Sequence, residues 1–201
     1  MSVKSNVVAI IPARAGSKRL PDKNKRLFCD EPLFVWSIDQ ALQCVFIDIV
    51  LLSTNDREII QYCNDFYKEI DVNERPEHLA TDEAKSEDVI IYELRNYPND
   101  TIVILLQPTS PLRTRKDITV CYNRFMKNKH KQCIISLFQE DDLHYKKNGA
   151  VYIDYLGNIR KNKSFIPKQF YIMPKERSID IDTYSDFYLA QKYMEKRLKN
   201  E

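Results

Sequence analysis

The chain has 201 residues, 43% hydrophobic and 30% charged, with a formal net charge of +2. That length suits one domain with a sizeable core, here expected to span residues 1–201. The near balance of charge excludes the broad attraction on which nucleic-acid and membrane-surface binders depend, so neither partner is expected. No apolar run reaches transmembrane length. Residues 1–6 lack a signal-peptide core, so a cytoplasmic location is expected. Cys29, Cys44, Cys63, Cys121 and Cys133 form neither a CxxC pair nor a metal spacing and read as free thiols, several of them in the core. In chain order, residues 7–12 form a continuous apolar run that predicts a buried strand. Residues 32–44 have helical periodicity, with Leu33, Trp36 and Ala41 on one face. Residues 47–53 read as a second parallel strand, and Asn55-Asp56 as the cap of a helix over 56–67. Residues 73–82 are polar, contain Pro76 and read as a loop. A helix over 86–97 follows, with Ser86 as its cap. Residues 101–107 are the strongest strand, buried on both faces. A helix over 116–128, strands over 132–138 and 149–155, a short extended piece at 179–181 and a helix over 183–198 complete the chain. This alternation predicts a three-layer α/β/α sandwich with a mostly parallel, doubly wound sheet. Right-handed crossovers place the loops after the strands along one edge, where the loop after residue 12 and segments 53–56 and 107–113 meet.

Four segments carry chemistry. In IIPARAGSKRLPDKN (residues 10–24), Arg14, Lys18, Arg19 and Lys23 surround Gly16 and Ser17, and Pro12 and Pro21 bracket the loop. Small residues let backbone N–H groups approach a phosphate whose charge the cations neutralise. The loop is neither a Walker motif nor a dinucleotide fingerprint, since each needs more glycines. In NERPEHLATD (73–82), Arg75 follows the polar stretch before Pro76, and read from the residues alone it holds the loop through a salt bridge. In LLQPTSPLR (105–113), two prolines fix a rigid turn straight after the strongest strand. In SIDIDT (178–183), Asp180 and Asp182 lie on one side of an extended segment and suit Mg²⁺; the competing reading is that Asp182 caps the last helix. The Asn148-Gly149 step adds a glycine suited to close approach of a ligand or backbone.

Together these segments resemble the signature segments of the CMP-nonulosonic acid synthetases, the acylneuraminate cytidylyltransferases, which activate sialic acid and its bacterial relatives. The resemblance covers most of the chain. It implies a nucleotide-diphospho-sugar transferase-like fold and a reaction joining CMP from CTP to the anomeric hydroxyl of a nonulosonic acid. Pyrophosphate would leave and the product would serve surface glycan synthesis. Arg14 and Lys23 would hold the triphosphate, with Ala13, Gly16, Ser17, Lys18 and Asn24 as loop contacts and Arg19 facing solvent. Arg75, with Thr81 in the same segment, would meet the nucleotide, and His78 is incidental. Gln107, Thr109 and Ser110 would meet the substrates, Arg113 would tie the loop to the scaffold, and Asn148 and Gly149 would lie at the sugar side. Asp180 and Asp182 would bind Mg²⁺, and with no histidine in a motif, activation of the hydroxyl falls to the metal. The synthetases for Kdo place an acidic residue after the strand matching 101–107; this chain does not. The family's long segment before Asn148, which carries part of the dimerisation arm and sugar-binding cations, is here only residues 139–147. A homodimer is therefore only a possible partner state, and Lys146 and Lys147 are the cations left at that position. Two other readings stay open: a nucleotidyltransferase for a different sugar, and a catalytically impaired CTP-binding protein.

Overall fold

A computed structural model describes residues 6–128 and 132–200. Most of the N-terminal segment read for a leader, and His130, lie outside the described residues. Seven strands form one sheet. Val7–Pro12 (β1) pairs in parallel with Ile49–Thr54 (β4) and with Ile102–Leu105 (β6), so Ala9 faces Val50 on one side and Ile104 on the other. Asp71–Glu74 (β5) extends the sheet beyond β4. On the other side Tyr145–Tyr155 (β8) runs antiparallel to β6 and to Ile134–Gln139 (β7), and Gln169–Met173 (β9) pairs in parallel with β7. The order β5-β4-β1-β6-β8-β7-β9 is mostly parallel, with β8 reversed.

The two-residue period of β1 divides the core between the sheet's faces. Val7, Ala9 and Ile11 pack against Val35–Leu42 (α1), Arg57–Phe66 (α2) and Arg115–Lys127 (α4). Val8 and Ile10 pack against Ser86–Glu93 (α3) and Leu156–Asn162 (α5). This is the expected three-layer sandwich. Burying a side chain such as Ile10 or Ile11, both fully enclosed, contributes roughly 1.5–3 kcal/mol. A third cluster joins Tyr184–Leu198 (α6), through Phe187, Ala190 and Met194, to Leu20, Phe28, Leu33, Leu112 and Ile181. It ties the last helix to the loop after β1 and so brings the two ends of the chain to one site.

Several expectations need correction. The first helix begins at Val35 rather than at residue 32, because Pro32 belongs to a two-stranded hairpin of Leu27–Phe28 (β2) and Glu31–Pro32 (β3). Its turn puts Cys29 and Asp30 at positive φ, and Trp36 Nε1 donates to the Phe28 carbonyl at 2.9 Å. Ser86 is the first helical residue of α3 rather than its cap; Lys85 precedes it without a side-chain cap bond. Residues 71–74 form a strand where 73–82 reads as loop, because an edge strand exposes polar side chains and lacks the apolar run that marks a buried one. Helix α5 and strand β9 were not anticipated. Ile179–Ile181 adopts no regular strand, although the Ile181 amide donates to the Thr109 carbonyl at 2.8 Å. All five cysteines are free, and four are buried. Burial pushes the Cys44 and Cys63 thiols up to about 11 and about 12, away from the reactive thiolate range.

Candidate functional site

The C-terminal ends of β1, β5 and β6 open onto a cleft of ≈ 270 Å³. Its walls carry Pro12, Arg14, Ser17, Lys23 and Asn24 from the loop after β1, Arg75 from the end of β5, and Gln107 and Thr109 from the turn after β6. Ser86 and Val89 of α3 and the carboxylates Asp180 and Asp182 complete it. Segments as far apart in sequence as Lys23 and Ile181 thus meet where open α/β sheets bind ligands.

The loop after β1 is held from three sides. The Ala13 amide donates to the Ser53 carbonyl at 2.9 Å, the Ala15 amide to Asn55 Oδ1 at 2.9 Å, and Asn24 Nδ2 to the Arg14 carbonyl at 2.9 Å. Asn55 therefore pins this loop, while Asp56 alone caps α2 by accepting from the Glu58 amide at 3.0 Å. Gly16 takes φ +74°, a conformation that suits glycine. Lys23 is mostly enclosed, and its Nζ donates to the Ile181 carbonyl at 2.8 Å and to Asp182 Oδ1 at 3.0 Å. Arg19 was expected to face solvent; it is largely exposed but also reaches Asp182 Oδ2 at 2.9 Å. Arg14 bonds Asp82, and Lys18 Nζ lies 2.6 Å from the same carboxylate. Hydrogen bonds from Lys18 and Arg14 hold the Asp82 carboxyl below its ordinary range, and Asp82 raises Lys18 in return.

Two carboxylates thus neutralise the cations that an anionic ligand would use. Asp82→Asn removes this competition for Arg14 and Lys18. It is expected to tighten binding of inorganic tripolyphosphate about threefold at low ionic strength, with the gain fading toward about 1 M salt, since these groups are solvent-accessible. Titration calorimetry at two salt concentrations checks this.

The turn after β6 has a buried frame. Arg113 is fully enclosed; its Nη1 donates to the Ala150 carbonyl at 2.7 Å and its Nη2 to Ser37 Oγ at 2.5 Å, which ties the turn to the scaffold. Ser110 Oγ donates to the Asn148 carbonyl at 2.7 Å. The Asn148 side chain is also enclosed: its Oδ1 accepts from Ser136 Oγ at 2.6 Å and its Nδ2 donates to Ser178 Oγ at 3.0 Å. Ser110 and Asn148 therefore stand behind the cleft wall, and Gln107 and Thr109 stand on it. Gly149, at φ +67°, lies against the Gln107 side chain so closely that a Cβ there would fall 2.2 Å from Gln107 Oε1. Thr81 is exposed and accepts from the Ala84 amide at 3.3 Å, beside the cleft rather than in it. His78 is also exposed, its ring edge-on to Tyr92.

The carboxylate pair is free of the capping role. Thr183 caps α6, with Asp186 completing a capping box. The side chain of Asp182 is turned instead to Lys23 and Arg19. Asp180 opens onto the cleft beside it. Desolvation by the cleft walls, with Asp182 nearby, raises the Asp180 carboxyl, and a hydrogen bond from Thr109 partly offsets this. Lys146 pairs with Glu140 at the tip of the β7–β8 hairpin. Residues 139–147 are thus accounted for by a strand end, a turn closed from the Glu140 amide to the His144 carbonyl at 2.9 Å, and the start of β8.

Sequence reasoning missed Asn55 as a loop anchor, Asp82 as the partner of Arg14, and Glu93. Glu93, at the end of α3, accepts from Ser53 Oγ at 2.7 Å and from Asn73 Nδ2 at 2.7 Å. Asp82 carries no local signal, because it acts on a residue distant in sequence; the spacing of α3 places Glu93 among inward positions but does not show its partners.

A cation-rich loop and two carboxylates at one edge of a mostly parallel sheet define an α/β protein with a site suited to a polyanionic ligand. A model of the cytidylyltransferase family matches residues 8–191, and the chain belongs to that family. It is 33% identical over 224 residues to the CMP-N,N'-diacetyllegionaminic acid synthase of Legionella pneumophila, covering 94% of this chain and 96% of that protein. It is 31% identical over 226 residues to the N-acylneuraminate cytidylyltransferase of Escherichia coli O18:K1:H7, covering 97% of this chain and 54% of that protein. The chain thus spans about half the length of the E. coli relative and nearly all of the Legionella one. An alignment of 226 positions on a chain of 201 residues also means that the relative carries residues this chain lacks. Among solved structures, a CMP:2-keto-3-deoxy-manno-octonic acid synthetase complexed with CTP superposes with TM-score 0.73 at 17% identity, covering 96% of this chain and all of that one. A 4-diphosphocytidyl-2C-methyl-D-erythritol synthase gives 0.75 at 8% identity. At such identities the structures speak to the fold alone. Among the described residues no helix is long and apolar enough to cross a membrane.

Proposed function

We propose that the protein transfers CMP from CTP to the anomeric hydroxyl of a nonulosonic acid and releases pyrophosphate. One observation carries this reading: Arg14, Lys23, Asp180 and Asp182 line one cleft, together with Arg75 and Gln107. The similarity to synthases of CMP-activated nonulosonic acids supports the choice of nucleotide and of sugar class. In this reading Arg14 and Lys23 take the β- and γ-phosphates and stabilise the charge that develops on departing pyrophosphate, with Lys18 as a loop contact. Backbone amides around Gly16 and Ser17 approach the same phosphates, and Asn24 fixes the loop through the Arg14 carbonyl. Arg75 donates to the base, and Gln107 and Thr109 orient the sugar for in-line attack on the α-phosphate.

Asp180 and Asp182 fit a divalent cation of the Mg²⁺ type. They supply two carboxylate donors to the wall of one cleft. Mg²⁺ takes one or two protein carboxylates and fills its remaining positions with water and substrate phosphate oxygens. When bound there, it would neutralise phosphate charge and lower the pKa of the attacking hydroxyl. Use of CTP as the donor is consistent with a cytoplasmic location.

The reading is tested by pyrophosphate release with Mg²⁺, N,N'-diacetyllegionaminic or N-acetylneuraminic acid, and CTP, UTP, ATP or GTP in turn. CTP is expected to exceed each of the others by about a hundredfold or more in kcat/KM, because a site built to hydrogen-bond one base leaves buried donors unpaired with another. Equal turnover of UTP would point to a nucleotidyltransferase of different specificity.

A further inference from the structure

Arg75 lines the cleft, yet it is almost wholly enclosed, and it is held from behind by a relay of side chains. Its Nε donates to Ser53 Oγ at 3.0 Å and its Nη2 to the Ser53 carbonyl at 2.7 Å. Since a guanidinium only donates, the Ser53 hydroxyl accepts there and sends its own proton onward, to Glu93 Oε1 at 2.7 Å. The second Glu93 oxygen accepts from Asn73 Nδ2 at 2.7 Å. Ser53, Arg75 and Glu93 are all buried, so each bond counts for more than it would in water.

We propose that Glu93 is a positioning residue for nucleotide binding: through Ser53 it anchors one edge of the Arg75 guanidinium and leaves the rest of the fork directed at the cleft. The proposal rests on the reading above that Arg75 contacts the nucleotide. Charge supports the geometry. Desolvation lowers Arg75 and the nearby Arg14 lowers it further, while Glu93 acts in the opposite sense. Glu93 thus offsets part of what burial and the neighbouring guanidinium do to Arg75.

The chemistry dictates the variant. Glu93 accepts at both oxygens, from Ser53 and from Asn73. Glu93→Gln has nearly the same shape but accepts at one, so one of the two donors must face an amide N–H₂, and the charge behind Arg75 is lost. Binding is measured by titration calorimetry with two probes, CTP and inorganic tripolyphosphate, on the wild type, Glu93→Gln, Arg75→Ala and the double variant. Glu93→Gln is expected to weaken CTP about tenfold and to change tripolyphosphate by less than about twofold, since the phosphate loop is held by other contacts. In the Arg75→Ala background, Glu93→Gln is expected to have no further effect on CTP. Equal loss of both probes, or additive loss in the double variant, would overturn the proposal by showing a general structural role. If Arg75→Ala weakens CTP and Glu93→Gln does not, the relay fails while the nucleotide role of Arg75 stands. If Arg75→Ala itself leaves CTP binding unchanged, that role fails and the relay with it. Should Glu93→Gln not fold, Ser53→Ala interrupts the same relay and carries the same expectations.

Discussion

Asp182→Asn is expected to lower kcat for pyrophosphate release by about a thousandfold or more while leaving a folded protein. The asparagine keeps the shape and removes the charge. That charge serves the site in two ways. In the proposed role it completes, with Asp180, a pair of oxygen donors for Mg²⁺ on the cleft wall. It also neutralises Lys23 and Arg19, whose nitrogens lie 3.0 and 2.9 Å away. Loss of a single fixed stabiliser of transition-state charge costs about 10²–10³ in kcat, and a disrupted cation site adds to that. Folding is protected because Thr183 and Asp186, not Asp182, cap α6, and because Lys23 keeps its 2.8 Å bond to the Ile181 carbonyl. The discriminating detail is the direction of CTP binding without Mg²⁺. Freed of their carboxylate partner, Lys23 and Arg19 should bind the triphosphate more tightly in the variant than in the wild type. A variant within about tenfold of wild-type kcat would show that the pair is not the cation site.

Gly149→Ala combines two faults. At φ +67° any side chain is strained, by about 1–2 kcal/mol. The new Cβ would also stand 2.2 Å from Gln107 Oε1 and 3.2 Å from Ser110 Oγ, so Gln107 must leave its place on the cleft wall. The expected result is a loss of about 10²-fold in kcat/KM, the scale of a misplaced substrate contact, together with a fall in Tm of several degrees. Gly16→Ala is the control for stability. Its φ is similar, at +74°, but a Cβ added there would meet nothing within 4 Å, so it should lower Tm by the strain alone. Equal Tm losses at the two positions would show that the contact with Gln107 is not what makes Gly149 necessary.

The layers of the fold and the edge that carries the site were legible because their signals are local. Apolar residues are concentrated at β1, β4 and β6, and the loop after β1 is marked by prolines and cations close together in the chain. The polar edge strand β5 and the short α5 have no such signal; pairing with β4 and packing against α3 make them. The site residues divided on the same line. Arg14, Lys23, Gln107, Asp180 and Asp182 sit in quotable segments and line one cleft. Asn148 and Ser110 sit in equally quotable segments, but their hydrogen bonds turn them into the scaffold. Asp82 and Glu93 matter through partners 68 and 40 residues away, a relation that no local pattern displays. For Asp182, two readings of one motif were open, and a neighbouring residue settled which side chain caps the helix.

Whether this cleft joins CMP to a nonulosonic acid is decided most directly by pyrophosphate release from CTP and Mg²⁺ across a panel of sialic, legionaminic and pseudaminic acids, with formation of the CMP-sugar followed in the same reactions. Release with at least one of these acids, matched mole for mole by CMP-sugar, is the predicted result. CTP binding with no release for any member of the panel would contradict it, and would leave a nucleotide-binding member of the family without this acceptor.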